Sequence, residues 1–145
     1  MKKTIILLPI LILNFALKAQ PEFKTEISKD AVMIGEPFKV EYKINKNFDD
    51  FILQKDENFE IISGPMTSFQ QSISMTGGKI EKNISVTYTY FLKAKTPGEQ
   101  NIPAAEVKIG GKRYSSDEAH IIVIDAEYHD PDEHKIKDIE GTSKL

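Results

Sequence analysis

The sequence predicts an all-β fold: an immunoglobulin-like antiparallel β-sandwich of about seven or eight strands, preceded by a signal peptide. Three observations predict it. Large apolar residues alternate with polar ones along short segments between residues 20 and 126, the period-two pattern of strands that bury one face. Turn signals built on glycine and proline separate these segments at intervals of roughly 8–12 residues. Helix signals hardly appear over the same region.

Residues 1–19 read as a targeting segment. Lys2 and Lys3 precede an apolar run over residues 5–17, broken only by Pro9 and Asn14, and Leu17-Lys18-Ala19 follows. A helix over that run reaches only about 20 Å, short of the ~30 Å hydrocarbon core of a bilayer, so cleavage after Ala19 is expected rather than a retained anchor. The chain has no cysteine, which excludes a lipid-modified cysteine and leaves the apolar core as the source of stability. A periplasmic or otherwise exported chain beginning at Gln20 is the expectation. Losing Lys2, Lys3 and Lys18 moves its formal charge from −3 to −6. An acidic chain with one arginine, Arg113, and scattered lysines offers nucleic acid no basic footprint. No second apolar segment is long enough to span a membrane.

Along the remaining chain, Phe23, Thr25 and Ile27 alternate with Lys24 and Glu26. Ile34-Gly35-Glu36-Pro37 reads as a turn. Phe38, Val40, Tyr42 and Ile44 then alternate with the charged Lys39, Glu41 and Lys43. Phe51-Ile52-Leu53 is a short apolar piece, and residues 59–62 form another that Ser63-Gly64-Pro65 is expected to end. Phe69, Ile73 and Met75 share one parity. Gly77-Gly78 supplies the positive φ angles of a tight hairpin, and the longest alternation follows: Ile80, Ile84, Val86, Tyr88, Tyr90 and Leu92, with Lys82 as the exception. Residues 80–92 extended would cover roughly 43 Å, longer than a usual strand, so a bend, a bulge or service in two sheets is expected. Gly110-Gly111 predicts a second hairpin between a strand near 106–109 and one starting near Arg113. The last strand, His120-Ile121-Ile122-Val123-Ile124, is apolar on both parities after the histidine. That composition implies cover on its outer face, from the chain's own N-terminal strand or from a partner, and makes Ile121, Ile122, Val123 and Ile124 the candidate interaction residues. Residues 127–145 lose periodicity, and Asp130-Pro131-Asp132-Glu133 breaks any strand there; they read as a polar linker or tail.

Catalytic patterns are missing. The serines at 63, 68, 72, 74, 85, 115 and 116 lack the G-x-S-x-G spacing of a nucleophile elbow and have no histidine close in sequence; solvent-facing strand positions account for them. His129, Asp130 and His134, with Asp132 and Glu133, are weak candidates for a divalent metal site, although a solvated acidic tail is the preferred reading. His120 is expected to be a hydrogen-bonded structural histidine. Asp49-Asp50 and Asp56-Glu57 carry oxygen ligands suited to calcium, without the repeat pattern of a calcium loop. Asn83-Ile84-Ser85 matches a glycosylation acceptor only formally, because it lies inside a predicted strand.

Several short pieces carry a likeness that depends on their order. These are Gly35-Glu36-Pro37; Phe59 with Ile61-Ile62-Ser63-Gly64-Pro65; Ser68 and Ser72 ahead of Gly77-Gly78-Lys79; Tyr88-Thr89-Tyr90; Pro97-Gly98; Ile102-Pro103-Ala104-Ala105 with Val107; and Gly111-Lys112 with Tyr114-Ser115-Ser116. In this order, over nearly all of residues 21–125, they resemble the N-terminal module of the BatD family, the oxygen-tolerance proteins of bacterial envelopes. The resemblance implies a sandwich module facing the periplasm, without a cofactor or enzymatic activity. In that family several such modules precede a membrane helix near the C-terminus. It further implies a part in an aerotolerance-linked envelope complex, with other envelope proteins as partners, among them the von Willebrand A-domain proteins encoded beside the family. This sequence covers the first module of that pattern, as a free periplasmic module or a truncated form. A second reading from the residues is an exported ligand-binding sandwich, for glycan or metal, in which Tyr128, His129 and Asp130 would matter.

Overall fold

The computed structural model describes residues 20–125, which form ten strands and no helix. They are β1 (Phe23–Ile27), β2 (Ala31–Met33), β3 (Pro37–Ile44), β4 (Asp50–Leu53), β5 (Phe59–Thr76), β6 (Lys79–Ala94), β7 (Gly98–Asn101), β8 (Ala105–Ile109), β9 (Lys112–Ser115) and β10 (His120–Ile124). One sheet has the order β1-β3-β6-β5, a second β2-β10-β7 and a third β4-β8-β9. All pairings are antiparallel except β2 beside β10, which is parallel. The expected all-β sandwich is therefore present. It has more strands than the seven or eight anticipated, because the very short β2 and β7 count separately.

The core forms where the alternating faces meet. Phe38, Val40, Tyr42 and Ile44 of β3 and Val86, Tyr90, Leu92 and Ala94 of β6 are buried, and Ala105, Val107, Ile121 and Val123 close on them from the smaller sheets. Each valine, leucine, isoleucine or phenylalanine among them contributes about 1.5–3 kcal/mol when fully removed from water. Aromatic rings fix the packing: Tyr42 meets Tyr90 edge-on at 6.0 Å, and Phe51 stacks on Tyr88 at 4.0 Å. Burial pushes the Tyr42 hydroxyl far above its ordinary pKa, so it stays protonated and donates to the Pro103 carbonyl at 2.6 Å. A small polar network ties two sheets together. Ser116, expected on the surface, is buried, and its Oγ accepts from Thr25 Oγ1 at 2.9 Å and from the Ala105 N–H at 3.1 Å.

Both glycine pairs turn hairpins. Gly77 and Gly78, at φ 60 and 77, join Thr76 to Lys79, and Gly110 and Gly111, at φ 55 and 82, join Ile109 to Lys112. Ser63-Gly64-Pro65, by contrast, does not end a strand. β5 passes through it with register shifts between Ile61 and Ser63 and between Ser63 and Met66, which is how a bulge bends a long strand without terminating it. The Gly64–Pro65 peptide is cis, and Gly64 has φ 120.

The long alternation resolves differently from either sheet-sharing or a full set of buried even positions. β3 pairs with β6 only from Val86 to Lys93. Residues 79–85 of β6 continue past the end of β3 with β5 as their only neighbour in the sheet. The result is a two-stranded arm, an extension of the largest sheet beyond the body of the domain.

Candidate interaction surface

Register decides what the arm displays. Across the β5–β6 ladder, Phe69 faces Val86, Gln71 faces Ile84, Ile73 faces Lys82 and Met75 faces Ile80. Directly paired residues project to the same side, so these eight form one face, which continues the buried even face of β6. The opposite face carries Ser68 with Thr87, Gln70 with Ser85, Ser72 with Asn83, Ser74 with Glu81 and Thr76 with Lys79. One side of the arm is thus polar throughout, and the other is largely apolar. Near the body the apolar side is covered: Val86 is buried, and Phe48 packs on the Tyr88 ring at 6.0 Å. Farther out that cover ends. Phe69 is 58%, Ile73 66%, Met75 72% and Ile80 68% exposed. Ile80, expected in the core from its parity, lies instead near the tip.

The outer edge of β5 is unpaired along its whole length, since β5 ends its sheet. No charged residue occurs from Ile61 to Gly78, although 28% of the chain is charged. Long exposed edges normally carry lysine, a covering element or some other guard against pairing with another chain. Here the guard is confined to Pro65 and the bulge near the root. Periodicity did not reveal the arm, but this uncharged stretch is a sequence signal that marks it.

The candidate residues of the last strand divide by parity. Ile121 and Val123 are buried, whereas Ile122 and Ile124 are 56% and 45% exposed. β2 lies beside β10 rather than over it, with Ala31 opposite Ile122 and Met33 opposite Ile124. Met33 and Ile34 are themselves exposed, so the N-terminal strands enlarge this apolar patch instead of covering it.

Other candidates are placed as follows. His120 is exposed, with Nδ1 2.6 Å from Asn101 Oδ1. Asp49 accepts from the Gly110 N–H at 3.2 Å, Asp50 from the Phe51 N–H at 2.9 Å and Asp56 from the Asn58 N–H at 2.8 Å. Among the described residues no group of three or more potential ligands gathers as a metal site; Tyr128, His129, Asp130 and His134 lie outside those residues. A cleft of ≈ 480 Å³ opens where β4 and β5 diverge, with Leu53, Phe59, Ile61 and Leu92 on its walls and Asp56 and Glu57 at its rim. Asp56 in that rim uses one carboxylate oxygen on the turn it caps. Among the described residues, Phe69 is the one aromatic in the set of large exposed apolar side chains.

The family model described as the BatD DUF11 like domain matches residues 25–123. No curated protein matches the chain.

Proposed function

The chain belongs to the BatD family, and from that premise we propose that it is a non-enzymatic interaction module of the bacterial envelope, which docks through the β5–β6 arm. The observation that carries this reading is the arm itself: the distal parts of β5 and β6, with a polar face, an apolar face and an uncharged β5 edge, projecting past the point where β3 ends. A strand edge offers a partner backbone hydrogen bonds and an apolar face offers burial, the two parts of recognition by strand addition. The family resemblance implies an exported location, an aerotolerance-linked complex and, as partners, other envelope proteins, including those with von Willebrand A domains.

The experiment is site-specific photo-crosslinking in the producing cell, with the photoreactive residue at Met75 on the apolar face or at Ser74 on the polar face. An envelope product formed from position 75 and absent from position 74 supports the reading. Failure of both positions to crosslink would reject it. Mass analysis of the recovered protein tests export as well, with Gln20 as the expected first residue.

A further inference from the structure

We propose that the partner on the arm's apolar face is a second copy of this chain, with two arms packed face to face and antiparallel about a two-fold axis. This rests on the reading of the arm as a docking surface and adds the identity of the occupant.

The first argument is area. Phe69, Ile73, Met75 and Ile80 together expose on the order of 550 Å², at the upper end of the few hundred Å² that monomeric proteins leave as one apolar patch. With the Gln71 side chain and the aliphatic stem of Lys82 between them, the face approaches the ~800 Å² per partner of a standard protein interface. One arm against another therefore supplies an interface toward the lower end of that class from the arms alone.

Charge is the second argument. Two copies of an acidic chain repel unless their contact is free of like charges. The uncharged stretch from Ile61 to Gly78 supplies such a surface. Its one charged neighbour on the apolar face, Lys82, stands on β6 beyond the end of β3, at a free margin of the ribbon. From there its ammonium reaches water while the stem stays in the contact.

Shape is the third. Overlap is greatest when the axis crosses the middle of the free face, between the Gln71–Ile84 and Ile73–Lys82 pairs. An axis across the strands then lays β5 over β5 of the second copy. Met75 meets the second copy's Phe69, Ile73 meets its Gln71, and Lys82 meets its Ile84. A flexible thioether against a ring edge is a favourable pair, and the tip of each arm covers the ring left open at the root of the other.

Sedimentation velocity on the full exported chain, from low micromolar to about 0.5 mM, tests the proposal. A reversible monomer–dimer equilibrium is expected, weakened at least tenfold in the double variant Ile73→Thr, Met75→Thr. Both side chains are exposed, so its circular dichroism and Tm should match the parent's at dilutions where both are monomeric. Because the chain lacks cysteine, Gln71→Cys treated with a short bismaleimide should give a covalent dimer, and Ser72→Cys on the polar face should not. A monomer at every concentration with no Gln71→Cys dimer overturns the proposal. If position 75 still crosslinks to a different envelope protein, only the second-copy assignment falls; if it crosslinks to nothing, the docking reading falls with it.

Discussion

Replacing Gly64 by alanine tests the root of the arm, where β5 leaves the body. An ideal Cβ on Gly64 would stand 2.8 Å from the Thr89 carbonyl oxygen, 2.9 Å from Tyr90 Cδ1 and 3.1 Å from Tyr90 Cα, at φ +120. Two of these three neighbours are backbone atoms of β6, so a rotamer change cannot relieve the clash; the two strands must separate. Backbone strain in a region populated essentially by glycine costs about 1–3 kcal/mol, and overpacking a tight site adds about 1–3 kcal/mol. A loss of roughly 2–6 kcal/mol is therefore expected, a large part of the 5–15 kcal/mol that holds a typical domain. Gly78 is the control. It also has positive φ, at +77, but a Cβ there meets nothing within 4 Å, and asparagine tolerates that left-handed region, so Gly78→Asn should cost under ~1 kcal/mol. Urea unfolding followed by far-UV circular dichroism, together with tyrosine fluorescence in this tryptophan-free chain, measures both. Equal stability losses for Gly64→Ala and Gly78→Asn would refute the tight passage of β5 across β6 at the bulge.

Three further outcomes follow from the same geometry. Val86→Asp, which places an unpaired carboxylate at an 8% exposed core position, should cost at least ~3 kcal/mol, whereas Thr87→Asp, on the other face and paired with Lys43, should change the urea midpoint little. Ser116→Ala leaves the Ala105 N–H and the Thr25 hydroxyl without their shared acceptor and should lower stability by about 1–3 kcal/mol in the same assay. The Lys39 ammonium, hydrogen-bonded to Glu41, holds that carboxyl below its ordinary value of 4.5. The contribution is present above that value and is lost as pH falls through the lower folded one; Glu41→Gln should shallow the acid limb of a Tm–pH curve by no more than ~1 kcal/mol.

Much of this fold was legible in the sequence because alternation and glycine pairs act locally. Val40 and Tyr42 are buried because neighbours of opposite parity are charged, and Gly77-Gly78 turns the chain because both positions need positive φ. The arm was not legible in the same way. Ile80 and Val86 have the same parity and similar apolarity, but Val86 lies opposite Ile44 of β3 and Ile80 lies beyond the point where β3 ends. Period two reports which face a residue shares, and whether a second layer exists to cover that face depends on the lengths of distant strands. Ser63-Gly64-Pro65 misled for a related reason. Glycine and proline end a strand when its partner also ends, and make a bulge when β6 continues alongside. Ser116 lay beyond pattern reasoning, since its burial depends on a hydrogen-bond partner, Thr25, ninety-one positions away.

The arm's isolation also sets its dynamics. β5 and β6 beyond Val86 have only each other for hydrogen bonding and no layer over Ile73, Met75 and Ile80, and a two-stranded hairpin is at best marginally stable in water. In dilute monomer, amides of the distal arm should therefore exchange through local opening that costs about 1–2 kcal/mol, while those of β3 and the root of β6 exchange only near the global unfolding limit. Covering the apolar face removes that difference, because opening the arm then also exposes the contact. Hydrogen exchange read by mass spectrometry at two protein concentrations separates the cases: protection over 69–84 should rise with association, with no change over 37–44. Distal amides already as slow as those of β3 in the monomer would mean that the arm holds its order without a partner, and the physical reason for expecting one would be lost.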